Sequence, residues 1–193
     1  MSMFDVDPLD ARSLDIAISE LLVATADGCD AYMDRKITET LRMLRLQMNM
    51  DMVFVSEFVD GNRVFRFVDS DRADAPQAGD AGALEDSYCQ RIVQGRVPEF
   101  IPDTAPLIAT GALFPPPIPV GAHLSTPVVL KDGRVYGTVC CLSAAAQPDL
   151  QAAELERLRQ CARLVARKVE GNDRPDFAPT EPDWSLTVSS GKT

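Results

Sequence analysis

The chain has 193 residues, 46% hydrophobic and 25% charged, a balance that suits one soluble globular domain with extra terminal elements. Its formal net charge of −10 and pI near 4.5 repel nucleic-acid phosphates and anionic membranes, and so argue against binding either. No apolar run approaches the roughly 20 residues that cross a bilayer. The opening MSMFDVDPLDARSLD lacks the basic-then-apolar order of a secretory leader, so the expected compartment is the cytoplasm.

Residues 1–28 carry a short amphipathic pattern, Leu14, Ile16, Ile18, Leu21 and Leu22, broken by Asp27-Gly28; they read as an arm or a loose helix. From Asp30 to Met48 the residues Ile37, Leu41, Leu44 and Met48 recur at the spacing of a helical seam. Met52 to Val68 then reads as two strands closed on Asp60-Gly61, because these residues tolerate the positive φ of the tight primed turns that match strand twist. Asp69 to Gly82 has no period and reads as an exposed loop.

Leu84 to Gln94 is predicted to be a helix that presents Tyr88, Ile92 and Val93 on one surface. Glu85 and Asp86 suit its dipole at the start, and Gly95 suits its stop. Pro98 to Pro102 fits one short edge strand, where proline is tolerated. Pro115, Pro116, Pro117 and Pro119 impose a stiff extended loop that links structured elements. His123 to Ser143 repeats the hairpin signal around Asp132-Gly133. A second helical seam follows in Leu155, Leu158, Ala162, Val165 and Val169, and Gly171 to Thr193 reads as a flexible tail with one Trp184. The expected organisation is an arm over 1–28, a domain over 29–170 and a tail over 171–193.

Each seam is too short for a free-standing coiled coil, so the helices are expected to pack on the sheet or on each other, with surface left over for a homodimer. The cysteines Cys29, Cys89, Cys140, Cys141 and Cys161 form neither a CxxC pair nor a metal-ligand spacing, and His123 is the sole histidine, which argues against a zinc site. On a strand, Cys140 and Cys141 point to opposite faces, so a bond between them would distort the backbone. Reduced, largely buried thiols are the expectation.

MVFVSEF, GNRVFRFVDS, LEDSYCQRIVQGRVPEFIPD and VGAHLSTPVVLKDGRVYGTVCCLS together resemble the GAF family of sensory modules over about residues 30–170, and bacterial sensors of that family in particular. The resemblance implies an α+β fold: an antiparallel sheet of five or six strands, the first and last helices on one face, and a ligand pocket under shorter helices and loops on the other.

Strand alternation then sorts side chains by face. Phe54, Ser56 and Phe58 share one side of the first strand. Tyr136, Thr138, Cys140 and Leu142 share one side of the last, with Gly137, Val139 and Cys141 opposite, where missing bulk admits a helix. Thr138 and Cys140 are assigned to the pocket with His123 and Ser125 from the preceding strand. The covering helix adds Tyr88, Cys89, Ile92 and Val93. This set suits an apolar ligand with few polar anchors; it equally describes a filled core.

The resemblance also narrows the chemistry. Family members that hold a bilin place the attaching thiol beside a histidine or in an Asp-x-Cys-Phe motif, and neither occurs here. The Asn-Lys-x-Phe-x-Asp-Glu signature of cyclic-nucleotide binders is missing, and one histidine gives little support for haem. Free methionine sulfoxide reductases use this fold with pocket cysteines, and Cys89 near a helix start suits a reactive thiol, although their surrounding motifs do not match. The reading is a non-catalytic sensory or regulatory module that binds a small molecule and relays occupancy through its flanking helices. The cofactor stays unspecified, and the effector is a separate partner or part of a longer parent protein. The alternative is a dimerisation or protein-interaction module with a filled pocket.

Overall fold

The computed structural model describes residues 11–23 and 30–172, so Cys29, Trp184 and the expected tail beyond Asn172 lie outside the described residues. The order is α1 (Ala11–Val23), α2 (Asp30–Gln47), β1 (Met52–Val59), β2 (Asn62–Ser70), β3 (Ala81–Ala83), α3 (Tyr88–Val93), β4 (Phe100–Ile101), α4 (Ala105–Ala109), β5 (Ala122–Val129), β6 (Val135–Ser143) and α5 (Ala152–Asn172). The strands form one six-stranded antiparallel sheet in the order β3-β2-β1-β6-β5-β4. The two hairpins thus meet at a central β1–β6 pair, and β4, flanked by Pro98 and Pro102, is an edge strand.

Both Asp-Gly corners exist, but they differ. Asp60 and Gly61 take φ of 49° and 76° between the paired Val59 and Asn62, a two-residue primed turn. At the other corner Gly133 alone takes positive φ, its N–H donates to the Leu130 carbonyl, and the Leu130 N–H donates to the Arg134 carbonyl. That is a three-residue loop with a glycine bulge, so the expectation of a tight primed turn is corrected there.

One sheet face is covered by the three long helices. The seam Ile37, Leu41, Leu44 and Met48 and the seam residues Leu158, Ala162 and Val165 are buried together with Val53, Val55, Val139 and Cys141 from the central strands. Leu14 and Ile18 of α1 join the same core, while Ile16 is exposed. Cys161 also lies in it, and burial pushes its thiol up to about 12. Cys140 and Cys141 face opposite sides as alternation demands, Cys140 packing with Met52, Phe54, Phe65, Cys89 and Leu142. Gly137 does not receive a helix: a Cβ there would fall 1.8 Å from the Ser56 carbonyl oxygen, so the missing side chain admits the β1 backbone instead.

Two bulges reset the alternation. Val55 pairs with Phe67 but Ser56 pairs with Phe65, which makes Arg66 the extra residue and sends Phe67 to the helix side and Phe65 to the other. On β6, Gly137 pairs with Val128 and Val135 with Val129; Tyr136 is the extra residue and packs on the helix-side core, not with Thr138 and Cys140.

The segment 69–82 is not simply an exposed loop. Its end supplies β3, which pairs with the start of β2, and Ala75 packs on the second sheet face. Its start is held by Arg45 of α2, which is buried and donates to Asp69 at 2.5 Å, to Asp71 at 2.6 and 3.0 Å, and to the Met50 carbonyl at 3.4 Å.

Arg45→Met should therefore lower stability in urea by about 1–3 kcal/mol, since it strands Asp69 beside the core. The hydrogen bond from Arg45 holds the Asp71 carboxyl below its ordinary value. Its stabilising contribution is complete above about pH 4 and is lost as pH falls through the depressed value. The Arg45→Met chain should lack that part of the acid sensitivity, and equal acid profiles for both chains would contradict the assignment.

Candidate ligand cavity

The second sheet face is covered by short pieces: α3, α4, the 74–87 segment and the proline-rich loop. Between them and the sheet lies a cavity of about 490 Å³, within the size range of small-molecule sites. Met52, Phe54, Phe65 and Leu142 form its floor, and Tyr88, Ile118 and Val120 contribute apolar walls. Asp74, Asp80 and Asp86 also line it.

The cover is pinned by specific contacts. Ser87 caps α3, its hydroxyl accepting from the Gln90 N–H, and Gly95 after the helix takes φ of 68°. Glu85 and Asp86 precede the helix instead of lying in its first turn. The Tyr88 hydroxyl donates to the Phe114 carbonyl at 2.8 Å, and Arg91 donates to the Ala112 carbonyl at 3.0 Å while its guanidinium lies 4.1 Å from the Phe114 ring centroid. The helix and the loop that leads into the prolines are thus tied together. The Tyr88 ring meets His123 edge-on at 5.4 Å.

Arg63 is the cationic group in the cavity wall. Its guanidinium lies 4.6 Å from the Phe65 centroid and 5.8 Å from that of Phe54, whose rings pack edge-to-face at 5.0 Å. One of its terminal nitrogens lies 3.9 Å from Cys89 Sγ. Its Nε is buried and has no hydrogen-bond partner among the described residues.

Beside the cavity floor lies a fully buried polar layer. Ser56 and Thr138 hydroxyls are 2.9 Å apart, Cys140 Sγ lies 3.0 Å from Ser125 Oγ and 3.2 Å from Thr138 Oγ1, and Cys89 and Cys140 sulfurs are 3.4 Å apart. A hydrogen bond from Cys140 holds the Cys89 thiol well below the ordinary thiol value, helped by a hydrogen bond from His123 and the charge of Arg63. Burial, with Cys89 beside it, pushes Cys140 well above. Side-chain partners, rather than the helix start, are the cause.

Of the eleven residues read from sequence, Phe54, Tyr88 and His123 line the cavity, and Ser56, Cys89, Ser125, Thr138 and Cys140 are buried on the same sheet face or against it. The other three stand outside the lining and the buried polar layer. Ile92 packs with Val97, Ile101 and Leu113 beneath α3 and α4, Phe58 packs at the margin of the Phe54 cluster, and Val93 is half-buried outside the cavity lining. Arg63 and Phe65 were missed, although the two-residue turn at Asp60-Gly61 sets them opposite Phe58 and Ser56 and so on the same face; the bulge at Arg66 lies beyond both.

The comparisons decide the family. Residues 33–169 match the model of the GAF domain. The chain belongs to the GAF domain family. Among solved structures, the GAF domain of an Acinetobacter phosphoenolpyruvate-protein phosphotransferase superposes with a TM-score of 0.62 at 12% identity, covering 88% of this chain and 95% of that one. A free methionine-R-sulfoxide reductase from Neisseria meningitidis, solved with its substrate, gives 0.60 at 12% identity over 89% and 95%. A bacteriophytochrome from the photosynthetic bacterium R. palustris gives 0.59 at 16% identity, and this chain spans 37% of its length. No curated protein matches the sequence. At these identities the structural likeness establishes the fold alone, so the GAF sheet and its helices are shared while the chemistry of the cavity has to be argued from its own residues. Among the described residues no helix is long and apolar enough to cross a membrane.

Proposed function

We propose that this GAF domain is a non-catalytic sensory module that binds a small molecule in the cavity between its sheet and α3. The observation that carries the reading is Arg63: a half-buried guanidinium whose Nε is buried and unpaired among the described residues, set beside Phe54 and Phe65 on the apolar floor of a cavity that Asp74, Asp80 and Asp86 also line. A buried donor without a partner costs stability, and a ligand acceptor would recover that cost. The fitting ligand has an apolar or aromatic body, and a carboxylate or other acceptor at Arg63.

Occupancy would draw the Tyr88–Phe114 pair and the proline-rich loop toward the sheet, and β1 and β6 connect that face to α2 and α5. A homodimer through the terminal helices, in the cytoplasm of a bacterium, with a separate or fused effector as its output, completes the proposal.

Native mass spectrometry of freshly purified chain should show a copurified small molecule. Failing that, a screen of small organic acids should raise stability by roughly 2.7 kcal/mol at a hundred times the dissociation constant. Arg63→Ala should weaken binding about tenfold or more. No bound mass and no shift across the screen would contradict the proposal and support a filled dimerisation or interaction module.

A second reading rests on the 3.4 Å contact between Cys89 and Cys140. Such a dithiol could reduce a small sulfoxide: its oxygen leaves as water, the sulfide is released, and the two thiols become a disulfide that an external dithiol restores. NADPH-coupled turnover of free methionine sulfoxide with thioredoxin checks this. The sensory reading expects no rate above background, and turnover abolished by Cys89→Ser would replace it.

A further inference from the structure

Sequence spacing offers no metal motif, yet the fold gathers the sole histidine and two of the cysteines. Cys89 comes from α3, His123 from β5 and Cys140 from β6, all three are buried, and their ligating atoms lie within 4.8 Å of one another. Register explains the meeting. Ser125 pairs with Cys140 and His123 with Leu142, so His123 is the diagonal neighbour of Cys140 on one face, and α3 lowers Cys89 onto both.

We propose that Cys89, His123 and Cys140 form a transition-metal site, with zinc as the fitting ion. Thiolate and imidazole are soft to borderline donors that favour zinc over magnesium or calcium. Tetrahedral zinc with ordinary bond lengths holds sulfurs about 3.8 Å apart and sulfur about 3.5 Å from nitrogen. The Cys89 and Cys140 sulfurs at 3.4 Å need to open by only a few tenths of an ångström.

Two features of the surroundings support the site independently of that spacing. The His123 Nδ1 is buried without a hydrogen-bond partner among the described residues, an uncommon state that coordination or reorientation toward an ion would resolve. The Cys140 sulfur already has Ser125 and Thr138 hydroxyls at 3.0 and 3.2 Å, and Cys89 has the Arg63 guanidinium at 3.9 Å, the kind of outer groups that steady thiolate ligands.

Zn²⁺ takes both sulfurs as thiolates, any thiol protons they carry passing to solvent, so the two sulfurs and the ion together have no net charge. Three protein ligands leave a fourth position for water or for a donor atom of a cavity molecule, next to a space that His123 and Arg63 both line. The site goes beyond the small-molecule reading. Metal uptake is measured with no organic ligand present, so the two proposals fail separately.

The test titrates the full chain, reduced and stripped of metal under anaerobic conditions, with Co²⁺ as the visible probe. The expected result is one equivalent bound, with thiolate-to-cobalt charge-transfer absorption and the visible bands of tetrahedral cobalt, both removed by added Zn²⁺. Cys89→Ser, Cys140→Ser and His123→Gln should each weaken uptake on the order of 100-fold, whereas Cys141→Ser and Cys161→Ser should leave it unchanged. If a substitution prevents folding, X-ray absorption of the unsubstituted zinc complex still decides: two sulfurs and one nitrogen are expected in the metal's shell. No uptake by the reduced chain, uptake that survives all three substitutions, or a shell without paired sulfur would each overturn the proposal. So would a chain that closes a Cys89–Cys140 disulfide but takes up no metal when reduced.

Discussion

The antiparallel pairing of β1 with β6 is the constraint on which the rest depends. It joins the two hairpins at the sheet centre, and its period sends Val53, Val55, Val139 and Cys141 to one side and Met52, Phe54, Cys140 and Leu142 to the other. A slip of one residue would exchange the two sets, stranding the buried hydroxyls of Ser56 and Thr138 against the helices. Gly137 guards that register, since the β1 backbone occupies the space a Cβ would need.

The two faces are built differently. Three helices with long apolar seams seal the first, and their packing is continuous from Leu14 to Ala166. The second is covered by a six-residue helix, a five-residue helix and loops, held by a handful of hydrogen bonds. Short elements cannot fill a sheet face side chain for side chain, and the space they leave is the cavity. The same thin cover brings Cys89 down to Cys140. A rigid face and a loosely covered one is an arrangement in which a bound molecule changes the cover more readily than the frame.

The frame was legible because it is periodic. Seams at helical spacing and Asp-Gly between alternating runs report local geometry directly, as does proline at the edge strand, and the family resemblance supplied how the elements assemble. The site was legible only where alternation ran unbroken, as at Phe54, Ser56, Thr138 and Cys140. One extra residue at Arg66 turned Phe67 away from the face that Arg63 and Phe65 share, and another at Tyr136 moved that ring to the helix side. Nothing in a hydrophobic pattern marks where a bulge falls. The start of α3 carried an overlooked signal, since Ser87 three residues before Gln90 has the spacing of a capping box. The aperiodic 69–82 segment gave no warning that its end pairs with β2, because a three-residue strand is too short to show alternation. The Cys89, His123 and Cys140 cluster is a product of register and of helix placement, which linear spacing does not encode.

A stiff β1–β6 frame under a separately opening cover should show two levels of local stability. Native-state amide hydrogen exchange measures this most directly. The slowest exchange is expected in β1 and β6, with the amides of α3 and of residues 112–120 opening at a much smaller free energy than the frame. Uniform protection, with the cover exchanging only when the central strands do, would contradict it.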